Sequence, residues 1–221
     1  MKQKIWKKFC DRYDVLKNCV PLFALNDQGN VDQTPIGIDK RPVLRRSKEC
    51  DALILQVSSR LIDDWSRGAH TYDGMLYMIG WKRPDSFLPL YIGKAETLGK
   101  GEMNLSANLK NLQTDRTKFA RWGDGYSYHI GDLSACVLPG HAASKRTLKY
   151  QSWAECLFKE GTTLRDEVFF WATAWSPDQI GIWEEYGATP LAFLEYMLIG
   201  VASQISPQLL NREGQSRSKV R

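Results

Sequence analysis

Histidine and closely spaced cysteine are scarce in this sequence, and a long hydrophobic run is missing from it. Three histidines and five cysteines are scattered along 221 residues, and no two cysteines form a CxxC pair. A structural zinc site needs four ligands at short spacings, so we expect reduced, mostly buried thiols. No segment is apolar over the roughly 20 residues of a membrane helix, and the N-terminus lacks a signal-peptide core. These absences predict a cytoplasmic protein with no membrane partner.

The excess of positive charge is small. The chain carries 30 Lys and Arg against 25 Asp and Glu, a net charge of +5. Basic residues are concentrated in 2–8, 40–48 and 212–221. Each cluster taken alone is explained by solvated surface, so together they permit a polyanionic partner without requiring one.

The pattern of apolar residues changes near residue 70. Residues 1–20 and 49–67 carry apolar residues at helical spacing, and residues 25–48 are rich in loop-forming types. We therefore expect residues 1–70 to be a partly helical N-terminal addition. Residues 213–221 have little apolar content, which predicts a basic disordered tail.

The segment that follows residue 70 has the signature of strands first and helices later. Two short aromatic runs, 75–81 and 88–93, flank turn residues and predict a β-hairpin. Further expected elements are a helix over 104–121, a strand over Tyr126–Ile130 with His129 packed in it, a strand over 167–175 and a helix over 191–203.

Three separated segments resemble the GIY-YIG nuclease family. They are Gly74–Tyr77, Tyr91–Ala95 and the late helix with Glu195, followed by Pro207 and Asn211. The resemblance covers about residues 73–212 and implies an α+β domain, 71–212 with insertions, built on a small antiparallel three-stranded sheet flanked by helices. It also implies hydrolysis of DNA phosphodiester bonds with one bound Mg²⁺ or Mn²⁺.

Glu195 has an unusual place on its helix, whatever the family. At about 100° per residue, its angular neighbours are all apolar; they are Leu191, Ala192, Leu198, Ile199 and Ala202. A carboxylate in such a stripe is costly to bury unless a cation neutralises it. An internal arginine is one candidate. A metal is the other, because Mg²⁺ commonly takes one or two carboxylates and completes its shell with water and phosphate.

The resemblance also assigns roles to three residues of the hairpin. Tyr77 would activate or orient the attacking water, and Tyr91 would form a hydrogen bond with the scissile phosphate or the water. As single residues, both tyrosines also fit a packed core. An unperturbed phenol titrates near 10, so a base role requires a nearby cation. Because we expect a wet pocket, Tyr77→Phe should slow cleavage with little change in melting temperature. Lys94 either contacts phosphate or is solvated.

The chain departs from the family pattern in its arginine. The family has an arginine on the helix after Tyr-Ile-Gly that clamps the scissile phosphate. Here none occurs between Gly93 and Asp115, so Arg116 and Arg121 are the candidates. On a continuous helix Arg116 faces inward, and Arg121 falls on the face of Lys110. Lys110 is a further candidate for substrate binding.

Asn211 lies sixteen residues after Glu195, a longer gap than the family's. It either fixes the helix through side-chain hydrogen bonds or ends a turn after Pro207; we count it with the substrate-binding residues. The leading prediction is a DNA endonuclease of restriction, defence or mobile-element type. A catalytically inactive scaffold that binds nucleic acid or a protein partner is the alternative, and a homodimer remains open.

Overall fold

A computed structural model of the chain describes residues 1–99 and 104–213. The helices are α1 (Lys2–Arg12), α2 (Val15–Asn18), α3 (Lys48–Ser66), α4 (Ala107–Lys110), α5 (His129–Val137), α6 (Leu148–Leu157) and α7 (Leu191–Ala202). The strands are β1 (Val20–Pro21), β2 (Gln33–Ile36), β3 (Arg41–Leu44), β4 (Gly74–Arg83), β5 (Ser86–Glu96), β6 (Phe158–Glu160), β7 (Thr163–Leu164) and β8 (Val168–Trp175). Short 3-10 helices span Arg116–Arg121, Ala143–Lys145 and Glu184–Tyr186. The expected α+β class is confirmed.

The central sheet has four antiparallel strands in the order β1-β8-β4-β5. The prediction of three strands is therefore wrong, because Val20 and Pro21 pair with Phe170 and Phe169 at the outer edge of β8. A two-residue strand has no alternation that a sequence pattern could reveal. The expected hairpin of β4 and β5 and the expected strand β8 are all present.

Apolar side chains of β4 alternate between two cores, one on each face of the sheet. Tyr77 and Ile79 belong to the core covered by α3, α5 and α6. Leu76 and Met78 belong to the core on the other face, with α1 and α7. Because both faces are covered, the residues of β4 from Gly74 to Trp81 are all buried.

Residues 1–70 share these cores with the rest of the chain. Trp6 and Phe9 of α1 pack in the core that contains α7. In the core on the opposite face, Ile54 of α3 is fully buried. Helix α3 begins at Ser47, whose Oγ accepts a hydrogen bond from the backbone N–H of Cys50 at 2.9 Å. None of the described helices combines the length and the apolar character needed to cross a membrane.

Two segments differ from the secondary structure that we expected. The predicted helix 104–121 is broken: α4 has four residues, and the 3-10 helix after it has non-helical angles at Phe119 and Ala120. The Asp115 side chain accepts a hydrogen bond from the N–H of Thr117 and starts a new turn there. The expected strand over Tyr126–Ile130 is wrong as well, because His129 begins α5.

The predicted loop 25–48 contains the β2–β3 hairpin. The expected tail, 213–221, lies outside the described residues except for Glu213.

Candidate active site

A cleft of about 290 Å³ opens beside β5, at the edge of the central sheet. It is formed by β5, α6, α7 and the last described residues of the chain. Its lining residues are Tyr91, Lys149, Glu195, Tyr196, Ile199, Asn211, Arg212 and Glu213. Three residues that the sequence singled out, Tyr91, Glu195 and Asn211, thus line one cleft.

Glu195 is half-buried and lines this cleft. Its helical neighbours Leu198 and Ile199 are buried, as the helical wheel predicted, while Ala192 is exposed. Burial raises the pKa of the Glu195 carboxyl above its ordinary value, and Lys94 opposes that shift. Within residues 1–99 and 104–213 its carboxylate forms no hydrogen bond and no ion pair. The alternative of an internal arginine in direct contact with Glu195 therefore has no counterpart among the described residues.

Tyr91 is a neutral hydrogen-bond donor at ordinary pH. Burial, with a further contribution from the charge of Glu195, raises the pKa of Tyr91 to about 12. Nζ of Lys149 lies 5.1 Å from the centre of the Tyr91 ring. A phenol in this state can donate to a phosphate oxygen but is a poor general base.

Tyr77 does not line the cleft, and our expectation of a wet pocket around it is wrong. The residue is 2% exposed, and its ring centre lies 6.3 Å from that of Tyr91. The Tyr77 hydroxyl lies 3.0 Å from Nε2 of His129. A Cβ atom on Gly93, its cross-strand partner, would come within 2.6 Å of that hydroxyl oxygen. Glycine at 93 is therefore what lets the Tyr77 ring lie against β5.

His129 links Tyr77 to a third tyrosine. Nδ1 of His129 lies 2.8 Å from the hydroxyl of Tyr150, and its ring stacks on Trp153. Burial, then the charges of Lys149 and Arg121, holds the pKa of His129 well below its ordinary value. A neutral imidazole donates from one nitrogen and accepts at the other, so one of the two tyrosines donates to it and the other accepts from it. We expected His129 to be packed, which it is, but no sequence pattern indicates its hydrogen bonds to the two phenols.

The positive charges near the cleft come from three parts of the chain. Lys149 and Arg212 line it, and neither was recognised from the sequence. Burial lowers the pKa of Lys149, and the charges of Arg121 and Arg212 add to that shift. Arg121 is exposed, and its charge lowers the pKa of both Tyr91 and Glu195. No periodicity marks Lys149, because its position follows from the packing of α6 beside β5.

Arg116, the other candidate for the clamp, belongs to a different part of the surface. It is ion-paired with Asp51 and lies over the ring of Phe119, 4.7 Å from its centre. The inward direction predicted for it is wrong, because the continuous helix on which that prediction depended is absent. Positive φ angles at Ala120 and Arg121 turn the backbone away from a helical path at Arg121.

The three candidate substrate-binding residues differ in their surroundings. Lys94 is ion-paired with Glu96, and Lys110 is exposed at the end of α4, away from the cleft. The Asn211 side-chain amide forms hydrogen bonds with both backbone groups of Ile92. Its Oδ1 accepts from the N–H at 3.0 Å, and its Nδ2 donates to the carbonyl at 2.7 Å. These bonds hold the end of the described chain along β5. Of our two alternatives for Asn211, they support fixation through side-chain hydrogen bonds.

Glu195 and Glu213 are the carboxylates of the cleft that could contact a divalent cation. Glu195 presents an unpaired carboxylate, and the negative charge of Glu213 raises the pKa of Glu195 further. Among the described residues no group of three or more His, Cys, Asp and Glu side chains could hold a metal. A cation here would therefore be held by Glu195, with water and substrate oxygens completing its shell, a ligand set suited to Mg²⁺.

No known protein family adds a residue role to this chain. Searches of protein-family models, of curated proteins and of solved structures found nothing that matches it.

Proposed function

We propose that this protein is a metal-dependent endonuclease that hydrolyses DNA phosphodiester bonds. The observation that carries the proposal is the unpaired, half-buried carboxylate of Glu195, which shares a cleft with a phenol and two cations. Cations beside a carboxylate that forms no ion pair suit a ligand that brings both a metal ion and a phosphate. In the reaction water attacks phosphorus, one P–O bond to a sugar oxygen breaks, and that oxygen leaves with a proton.

Four residues of the cleft have a defined part in this reaction. Glu195 would hold Mg²⁺ or Mn²⁺, and the ion would supply Lewis acidity toward the phosphate. Tyr91 donates a hydrogen bond to a phosphate oxygen. Lys149 and Arg212 stabilise the negative charge that accumulates on the phosphate in the transition state.

Tyr77 acts through its neighbours in this scheme. Its ring packs beside that of Tyr91, and its hydroxyl is held by His129. Side chains that are locked by packing and hydrogen bonds hold a catalytic group in place more firmly than a mobile environment does. We therefore assign Tyr77 and His129 as positioning residues for Tyr91.

Cleavage of supercoiled plasmid with Mg²⁺ or Mn²⁺ tests the proposal, with EDTA as the blank. Glu195→Gln should abolish cleavage and keep DNA binding, because an amide of nearly equal shape is a poor Mg²⁺ ligand. Glu185→Gln is the matched control, since Glu185 is exposed on the 3-10 helix Glu184–Tyr186, and it should cut like the wild type. Full activity of Glu195→Gln would refute the metal site.

An inactive scaffold that binds nucleic acid or a protein partner is the second candidate. It is favoured by the state of the two tyrosines, because neither Tyr77 nor Tyr91 has a pKa suited to accept a proton at neutral pH. If the wild-type protein binds DNA but fails to cut it with any divalent metal, that result would support this candidate against the nuclease.

A further inference from the structure

Exposed aromatic rings are concentrated next to the cleft. Tyr186, Phe193 and Tyr196 are 67%, 47% and 56% exposed, and every other aromatic side chain of the described residues is buried or half-buried. The rings of Tyr186 and Phe193 meet edge to face, with centres 5.8 Å apart. We call these three residues the aromatic face.

The aromatic face is continuous with the cleft. Tyr196 follows Glu195 on α7 and itself lines the cleft. Phe193 lies three residues earlier, so it shares a side of the helix with Tyr196. A ligand that occupies the cleft and extends along α7 toward its N-terminus therefore reaches Tyr196 first and Phe193 next.

The charges beside the aromatic face select among the ligands that it could bind. Lys149 and Arg212 line the same cleft as Tyr196, and the charge of Arg121 acts on both Lys149 and Glu195. Glu195 and Glu213 line that cleft as well, so a second copy of the chain could pair its own cations with them. A ligand with negative charge and flat apolar rings is complementary to both features.

An unpaired strand of nucleic acid has this combination, and an intact duplex does not. In a duplex the flat faces of the bases are stacked on one another and inaccessible. In a single strand every base offers a face to an aromatic side chain, and the backbone follows positive charge.

We propose that the aromatic face binds unpaired bases of the strand whose phosphate enters the cleft. The substrate class is then single-stranded or locally unpaired nucleic acid. The inference rests on the proposed function only for the phosphate in the cleft, because base binding does not require cleavage.

Binding of fluorescent oligonucleotides tests the inference, measured by anisotropy in EDTA so that no metal-dependent cleavage occurs. The probes are a single strand and a blunt duplex of the same sequence. Tyr196→Ala should raise the Kd for the single strand about five- to 150-fold, the range for loss of one stacked base, and change the Kd for the duplex less than twofold. Tyr196→Phe should bind like the wild type, because it keeps the ring.

Two further variants complete the design. Phe193→Ala should weaken binding of the single strand in the same direction as Tyr196→Ala. Ile38→Ala, which removes a fully exposed apolar side chain outside the aromatic face, should change neither Kd. An unchanged Kd of Tyr196→Ala for the single strand, or an equal loss for both probes, would overturn the inference.

Sedimentation velocity tests whether the aromatic face binds a second copy of the chain. We expect the same sedimentation coefficient for the wild type and Tyr196→Ala, with no dimer. A wild-type dimer that Tyr196→Ala dissociates would instead assign the aromatic face to self-association. A protein that prefers single strands but never cuts DNA would keep this inference while refuting the nuclease.

Discussion

Replacing Tyr77 by Phe removes one hydroxyl from the most enclosed part of the site. That hydroxyl lies 3.0 Å from Nε2 of His129, and the residue is 2% exposed. After the replacement one ring nitrogen of His129 has no partner, whichever tautomer it holds, because the other nitrogen is already engaged by Tyr150. Trp122 and Trp153 pack against the imidazole, so water has little access to the vacated position.

The size of the effect follows from this enclosure. Leaving one buried polar group without a partner costs about 1–3 kcal/mol. For a chain of this length each kcal/mol lowers the melting temperature by about 2–4 °C. We therefore expect Tyr77→Phe to melt about 2–12 °C below the wild type, in contrast to the small change expected from the sequence. Its cleavage rate should fall at least tenfold, because Tyr91 is less firmly held.

Thermal and urea unfolding measure this loss, and two further variants interpret it. Tyr150→Phe removes the bond to Nδ1, and the double variant should deviate from additivity because both hydroxyls share one imidazole. Tyr186→Phe removes an exposed hydroxyl and should change the free energy of unfolding by less than about 0.5 kcal/mol. A Tyr77→Phe protein as stable as the wild type would refute the buried Tyr77–His129 hydrogen bond.

Three further predictions concern the sheet and the charges of the site. Gly93→Ala should destabilise the protein by about 1–3 kcal/mol, measured by urea unfolding, because its Cβ would overlap the enclosed Tyr77 ring; an unchanged midpoint would contradict the close approach. Glu195→Gln should raise the melting temperature at pH 7 without metal, because a folded-state pKa above the unfolded value means that ionised Glu195 opposes folding. That gain should vanish as pH falls below the ordinary carboxyl pKa, and a gain present at low pH would be inconsistent with this cause. Arg121→Lys should reduce cleavage more than binding, while Arg116→Lys should cut like the wild type; if both cut normally, neither is the phosphate clamp.

Much of the site could be predicted where a local pattern carries the information. The alternation of β4 places Tyr77 on one face of the sheet, and the register puts Gly93 opposite it. The helical wheel placed Glu195 on the apolar side of α7, and the structure shows it half-buried with buried neighbours. These inferences need only the periods of a strand and a helix.

The clamp arginine shows where local patterns fail. The wheel favoured Arg116 on the assumption of one helix over 104–121. That helix ends at Lys110, and the side chain of Asp115 starts a separate 3-10 helix by accepting the N–H of Thr117. The break leaves Arg116 paired with Asp51, whereas the charge of Arg121 acts on Tyr91.

The sequence by itself determined the α+β class, the hairpin with its two tyrosines and the helix with its lone carboxylate. Tertiary structure decided the rest: the fourth strand, the burial of Tyr77 beside His129, and the placement of Lys149 and Arg212 in the same cleft as Glu195. Strand and helix periods are set by neighbours along the chain, so the sequence displays them directly. The pairing of β1 with β8 and the meeting of α6, α7 and the C-terminal segment at β5 join residues far apart in the chain. Only the packing of whole elements brings such residues together.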